Sequence, residues 1–256
     1  MQNNHDWYEV EELWQDLANI AVIPPSLWCN AKKETDSILK LVGTSEFSNI
    51  LDVCCGNGRH SIEFAKLGYK VTGVDRNALY LDDAKSRCNG SKISVPILPV
   101  DFIQSDIREF IKSNRYELAI NMNNSFGFFQ DRSDDVKVVK NIFESLVSKG
   151  KFLIQLTSKE ILARKFLTKN WYQDSDKLYL VEKKITQNWS WLEQQWTVVD
   201  SSGEIRKYPV NRRIYSATEL EKLLEEAGFT SVVTYGDLNG SKYDHQAKTL
   251  VLIATK

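Results

Sequence analysis

Residues 50–60 read Ile50-Leu51-Asp52-Val53-Cys54-Cys55-Gly56-Asn57-Gly58-Arg59-His60. A strand-like apolar run closes in two cysteines and then in two glycines one residue apart. Helical spacing follows through Ile62, Phe64, Ala65 and Leu67, with Gly68 where a left-handed cap is wanted. The stretch therefore reads as strand, glycine turn, helix. Glycine there lets backbone approach a ligand without a Cβ in the way, beside the free N–H groups of a helix start.

The same alternation runs outward. Strand patterns cover 69–75, 99–106, 116–122 and 151–157, and helical patterns cover 77–88 and 134–150. In the latter, Val136, Val139, Ile142, Phe143, Leu146 and Val147 share one face and Gly150 is the stop. Strands alternating with helices predict parallel βαβ units in a doubly wound sheet. Before them, an amphipathic helix is expected over about 5–20, stopped by Pro24-Pro25, and a second over about 26–42. After residue 158 the alternation breaks. Long strands over 178–187, 188–199 and 204–215 read as an antiparallel meander, with Trp189 and Trp191 on one face and Trp196 and Val198 on the other. Ser216 and Glu219 form a capping box, Gly228 stops that helix, and strands over 230–236 and 248–254 follow.

Composition narrows the function. The 256 residues carry 33 basic and 34 acidic side chains, a balance that gives no electrostatic reason to expect nucleic acid or an anionic membrane. Cys29, Cys54, Cys55 and Cys88 show no C-x-x-C spacing, so no metal site is expected. The first residues are polar rather than leader-like, and no apolar run approaches the ~20 residues of a membrane span. A cytoplasmic location is the default expectation.

The glycine turn has companions. Asp75 ends the second strand, where a carboxylate can accept hydrogen bonds from ribose hydroxyls; a turn or cap role is the plainer reading. Asp106 ends the third strand beside Ile107, a pair suited to an adenine amino group and ring, or to a helix cap. Asp52, inside the first strand, needs a donor or a cation, such as an α-amino group. Ser61 stands where a dinucleotide fingerprint wants Gly or Ala, and no phosphate-binding lysine follows the glycines. The ligand should carry adenosine and an amino-acid end without a pyrophosphate.

These motifs resemble those of the class I S-adenosylmethionine-dependent methyltransferases. The likeness lies in the glycine stretch with its acidic second-strand end (50–77), "FIQSDIREF", "YELAINMNNSFGFF" and "LVSKGKFLIQL", and it spans about 45–157 and 214–256. It implies a Rossmann-like seven-stranded sheet with an antiparallel last strand. It also implies S-adenosylmethionine as cofactor and S-adenosylhomocysteine as product. Gly56 and Gly58 would then lie under the methionine part, with Asp52 supporting its amino end and Asn121 offering backbone to its ammonium. Asp75 would bind the ribose, Arg76 would flank the adenine, and Asp106 and Ile107 would hold it. Arg59 would lean toward the cofactor carboxylate or lie on the surface. Met122, Asn123 and Asn124 would face the reacting methyl.

"NNSFGFF" departs from the N/D-P-P-Y/F motif of nucleic-acid amino methylators, and no catechol-type metal pattern is present. The expected division is an N-terminal helical lid (1–45), a core (46–160 and 214–256) and an inserted meander (170–213) that covers substrate or forms a dimer surface. The layout is similar to small-molecule N-methyltransferases of the glycine/sarcosine and amino-sugar types. Methyl transfer from a sulfonium is driven by positioning, and an amine acceptor needs no base. The expected activity is methylation of a small molecule, most of all an amine, with O- or C-methylation, a peptide or RNA substrate, or a silent cofactor-binding subunit as alternatives. His245, Tyr8 and Asn123 are the catalytic candidates, with His60 a further histidine beside the glycines. Trp14, Asn124, Arg212 and Arg213 are the substrate candidates, with Trp28 a further aromatic of the lid.

Overall fold

The computed structural model describes residues 6–17, 25–43, 48–89, 98–174 and 176–256. Five parallel strands are laid down first: β1 (Asn49–Val53), β2 (Lys70–Asp75), β3 (Val100–Gln104), β4 (Tyr116–Asn121) and β5 (Leu146–Leu156). Two more close the sheet, β11 (Ser231–Tyr235) and β12 (Leu250–Thr255), giving the order β11-β12-β5-β4-β1-β2-β3. β12 runs antiparallel to both its neighbours. β1 and β4 are buried almost throughout, as their apolar runs require of strands covered on both faces.

Helices cover both faces. α5 (Arg132–Ser145) and α7 (Ala217–Glu226) bury Val138, Val139, Leu220 and Leu223 on one side. α2 (Pro25–Val42) and α3 (Arg59–Lys66) bury Ile38, Val42, Phe64 and Ala65 on the other. α4 (Ala78–Asn89) leads toward β3. The capping box on α7 forms as expected: Glu219 N donates to Ser216 Oγ and Ser216 N donates to Glu219 Oε2.

Several expectations shift. The first helix is a 3-10 turn (Trp7–Glu9) followed by α1 (Glu11–Leu17). α2 belongs to the core layer rather than to a separate helical segment over 1–45, Trp7–Leu17 pack on the inserted sheet, and residues 18–24 lie outside the described residues. Pro25 opens α2, where its missing N–H costs nothing. α5 ends at Ser145 rather than at Gly150, because Leu146 pairs with Tyr116 and the chain then bulges before Lys151 meets Leu118. Gly150 sits in that bulge, where a Cβ would come within 2.8 Å of the Val147 carbonyl. Beyond 158 a short helix appears, α6 (Lys159–Lys165), with Ser158 Oγ accepting from Ile161 N.

The inserted sheet consists of β6 (Lys169–Asp174), β7 (Lys177–Thr186), β8 (Trp191–Val199), β9 (Ile205–Pro209) and β10 (Arg212–Arg213). β6 was not expected. The strand expected over 188–199 starts only at Trp191, since Gln187, Asn188 and Trp189 all adopt left-handed backbone in a turn. Trp189 is therefore exposed while Trp191 is buried, and they share no strand face. Trp196 and Val198 do share one: with Tyr179 and Val181 they pack on Trp7, Leu13 and Leu17.

Candidate active site

At the carboxyl ends of β1, β2 and β3 the sheet meets a cavity of about 570 Å³. Asp52 is buried beneath it, and its Oδ2 accepts a 2.6 Å hydrogen bond from Ser61 Oγ. Ser61 thus uses the position that a dinucleotide fingerprint would fill with Gly or Ala. Burial pushes the Asp52 carboxyl above the usual carboxylate range. Asp75 fastens the glycine turn to β2: Oδ2 accepts from Gly56 N at 2.8 Å and Oδ1 from Asn77 N at 2.9 Å. Burial raises its pKa as well. Asp106 differs. Burial pushes it up, but hydrogen bonds from Arg108, including one of 2.7 Å from Nη2, outweigh this and hold it below the usual range.

The two glycines divide their work. Gly56 (φ 54) lines the cavity. Gly58 (φ 75) does not, and a Cβ there would meet the Phe102 ring at 2.7 Å. Gly58 lets α3 start close against β3. Cys54 and Cys55 line the floor, both thiols pushed well up by burial, then by neighbouring Asp75 and Asp52. Arg59 also lines the wall and is buried rather than on the surface; Nη1 donates to Glu34 Oε2, which His60 Nε2 contacts at 2.8 Å.

The opposite wall comes from outside the sheet. Trp14 Nε1 donates to the Tyr8 carbonyl at 2.8 Å, and the Tyr80 hydroxyl donates to the Trp14 carbonyl. The Arg76 guanidinium lies 5.2 Å from the Tyr8 ring centre and bonds Glu9. The Tyr8 hydroxyl donates to Asp6, and burial raises its pKa, so it stays a neutral phenol. The meander adds Lys183, Gln194 and Arg212, with the rings of Tyr172 and Trp196 stacked at 6.1 Å. Asp16 ties α1 to this sheet, accepting from Arg206 (2.7 Å), Lys177 (2.8 Å) and the Tyr208 hydroxyl (2.8 Å). Left-handed backbone at Asn123 and Asn124 turns the chain after β4 along the wall. Asn124 Oδ1 accepts from Thr157 N at 2.6 Å and from Arg212 Nη1 at 2.8 Å.

Most of the predicted residues therefore converge on one cavity. Five do not line it: Gly58, Trp28, Asn121, Arg213 and His245. The Asn121 side chain bonds the Val53 and Ser125 carbonyls beneath the wall. Arg213, a substrate candidate, is turned to buried Asp135 and the Gln130 carbonyl, because successive strand residues point to opposite faces. His245 is exposed in the loop before β12, away from the cavity. Trp28 stacks under Arg87 instead of covering the site. Sequence reading missed Glu34, Lys183, Gln194 and Tyr172. Lys183 was readable as the next residue on the face of Tyr179 and Val181.

Residues 45–228 match the model of the methyltransferase-domain family. The chain belongs to the S-adenosylmethionine-dependent methyltransferases. It is 25% identical over 223 residues to YqeM of Bacillus subtilis (strain 168), itself a methyltransferase by assignment of name only, covering 82% of this chain and 85% of that one. It is 23% identical to a glycine/sarcosine N-methyltransferase of Halorhodospira halochloris, over 95% of this chain and 85% of the relative. The crystal structure of an S-adenosylmethionine-dependent methyltransferase from Clostridium acetobutylicum ATCC 824 superposes with a TM-score of 0.75 at 17% identity, over 95% and 96% of the two chains.

The cofactor of this methyltransferase is S-adenosylmethionine, and the cavity suits it. The strand tips present three carboxylates to the cavity, a lining that fits a ligand whose amino and sulfonium groups are cationic. Asn57 Oδ1, buried in the wall, has no partner among the described residues.

Proposed function

We propose that this methyltransferase transfers the methyl group to a nitrogen of a small-molecule acceptor. One observation carries the reading. Outside the strand tips, the described cavity wall holds no carboxylate or histidine free to take a proton: His60 is engaged by Glu34, and Tyr8 is a neutral donor. A hydroxyl or carbon acceptor would need such a base; an amine need only be neutral when it attacks. The name of the Halorhodospira halochloris relative, an N-methyltransferase of small amines, supports the same class.

In this reading Asp75 holds the ribose, Asp106 and Ile107 the adenine edge, Arg76 its face, and Asp52 with the Gly56 turn the amino-acid end. When bound, the cofactor supplies a methyl group already activated by positive charge. The chain's own part is alignment and exclusion of water, which can contribute several kcal/mol. Trp7–Leu17 and the meander act as cover, and Asn123 borders the acceptor space. The expectation of a homodimer bears on the outer meander face, where Trp171, Leu180 and Ile205 are exposed; sedimentation tests it.

Calorimetry with S-adenosylhomocysteine, followed by a labelled-methyl screen of amines, alcohols and thiols, tests the proposal. The expected result is micromolar thioether binding, weakened about tenfold or more by Asp75→Asn through loss of charge-assisted hydrogen bonds, with label passing to amines. Label passing to alcohols or thiols alone would overturn the nitrogen assignment.

A further inference from the structure

The meander side of the cavity has an unusual charge balance. Among the described residues Lys183 Nζ has no hydrogen bond and no ion pair, although the residue is half-buried in the wall. Arg212, also in the wall, has among the described residues only a neutral partner, Asn124 Oδ1. That oxygen is fixed in turn by the Thr157 amide, so the guanidinium is oriented without being neutralised. Other arginines near the site are countered by carboxylates: Arg59 by Glu34, Arg76 by Glu9, Arg108 by Asp106 and Asp134. The residues outside the described set contain one carboxylate, Glu46.

A second observation points the same way. Trp196 lines the cavity and is only 9% exposed, yet its indole Nε1 has no acceptor among the described residues. Trp7 Nε1 is in the same position. This side of the cavity is rich in donors and cations and poor in acceptors. An unpaired buried donor destabilises the fold, more so when it is charged. The arrangement is explained if a ligand completes it.

We propose that the acceptor is an anion, held by Lys183 and Arg212 through a carboxylate or phosphate group, with the Trp196 indole donating beside them. This rests on the small-molecule reading above and names the substrate class of that site. Arg212 supplies the directional contact, since a guanidinium matches either oxyanion with two parallel donors, while Lys183 acts as a point charge. Burial, together with the nearby Arg212 charge, holds Lys183 below its usual pKa, and burial lowers Arg212 to about 10; an incoming anion relieves both. The amine and the anionic group must lie on one molecule. It then spans from Asn123, beside the methyl-transfer space, to the meander.

Two arms test this. First, S-adenosylhomocysteine-loaded protein is titrated with inorganic phosphate and with acetate against chloride at equal ionic strength, following Tm. The expected result is a rise in Tm for the unaltered chain, lost in Lys183→Gln/Arg212→Gln, with thioether binding retained in both. Lys183→Gln alone serves if the double variant loses thioether binding. Second, labelled methyl transfer to matched amines is compared in the unaltered chain: amino acids against their amides, and amino sugars against their phosphates. A preference of about tenfold or more for the charged member is expected from one charge-assisted contact, and the preferred pair separates carboxylate from phosphate. Equal turnover of charged and neutral amines, or equal anion stabilisation in variant and unaltered chain, overturns the proposal and leaves nitrogen methylation standing. Anion stabilisation lost in the variant, with no amine methylated, keeps the anion site and overturns the amine reading.

Discussion

Gly58 shows how much a single missing Cβ decides. Its φ of 75 lies in the left-handed region, and the space its side chain would need belongs to Phe102 and Ala84. Gly58→Ala is therefore expected to lose about 2–3 kcal/mol, from backbone strain and from overpacking. Denaturant unfolding measures it; a loss below about 0.5 kcal/mol, the size of an ordinary surface change, would refute the packing role. The glycine pair was legible because ligand approach and helix–strand packing both demand small residues. Which glycine served which demand was not, since that depends on where Phe102 of β3 lands, 44 positions later. Asp52 and Ser61 were each singled out, yet their bond joins a strand to the next helix and has no local signature.

At the scale of elements, Asp135 joins α5 to the chain returning from the meander. Its Oδ2 accepts from the Tyr215 hydroxyl at 2.7 Å and from Arg213 Nε at 3.2 Å, with no exposure to solvent. Burial raises its pKa to about 6, against the opposing pull of Tyr215 and Arg213. The folded chain therefore holds this proton more firmly than the unfolded one, and stability falls as pH rises from about 4 to 6. Asp135→Asn keeps an acceptor for Tyr215 and removes the titration. The variant should gain up to about 3 kcal/mol relative to the unaltered chain across that window; parallel stability curves would refute it. The α/β alternation was readable because buried strands and amphipathic helices carry strong periods. The meander was read less well: left-handed residues at 187–189 and the break at Val210-Asn211 come from turn geometry and from pairing with β8, which periodicity does not encode.

Across the whole molecule, the cavity lies between two parts of different origin, the tips of the parallel sheet and α1 with the meander, the cover proposed above. Asp16 is the clamp of that cover. Burial raises its pKa, but Arg206, Lys177 and Tyr208 outweigh this and lower it to about 2. Its contribution is present above pH 4 and is lost as pH falls through about 2. Asp16→Asn leaves Lys177 without a carboxylate among the described residues and Arg206 with Asp200 and Glu204 alone, and should weaken the cover by about 3 kcal/mol. Hydrogen exchange is expected to speed up on the order of a hundredfold in α1 and the start of β7, with β1 and β4 unchanged. Uniform loss of protection would mean that Asp16 supports the entire fold and not the cover alone.

The two cysteines on the cavity floor have a consequence for self-damage. A sulfonium alkylates soft nucleophiles, and sulfur is the softest that a protein offers. Cys54 and Cys55 stand beside the expected donor, yet burial and the carboxylates of Asp52 and Asp75 keep both as thiols. A thiol is a poor nucleophile where its thiolate is a strong one. The acidic strand tips thus do more than attract a cation: they spare the floor from being methylated by the reagent it carries. Peptide mass spectrometry after long incubation with the donor should find both cysteines unmodified.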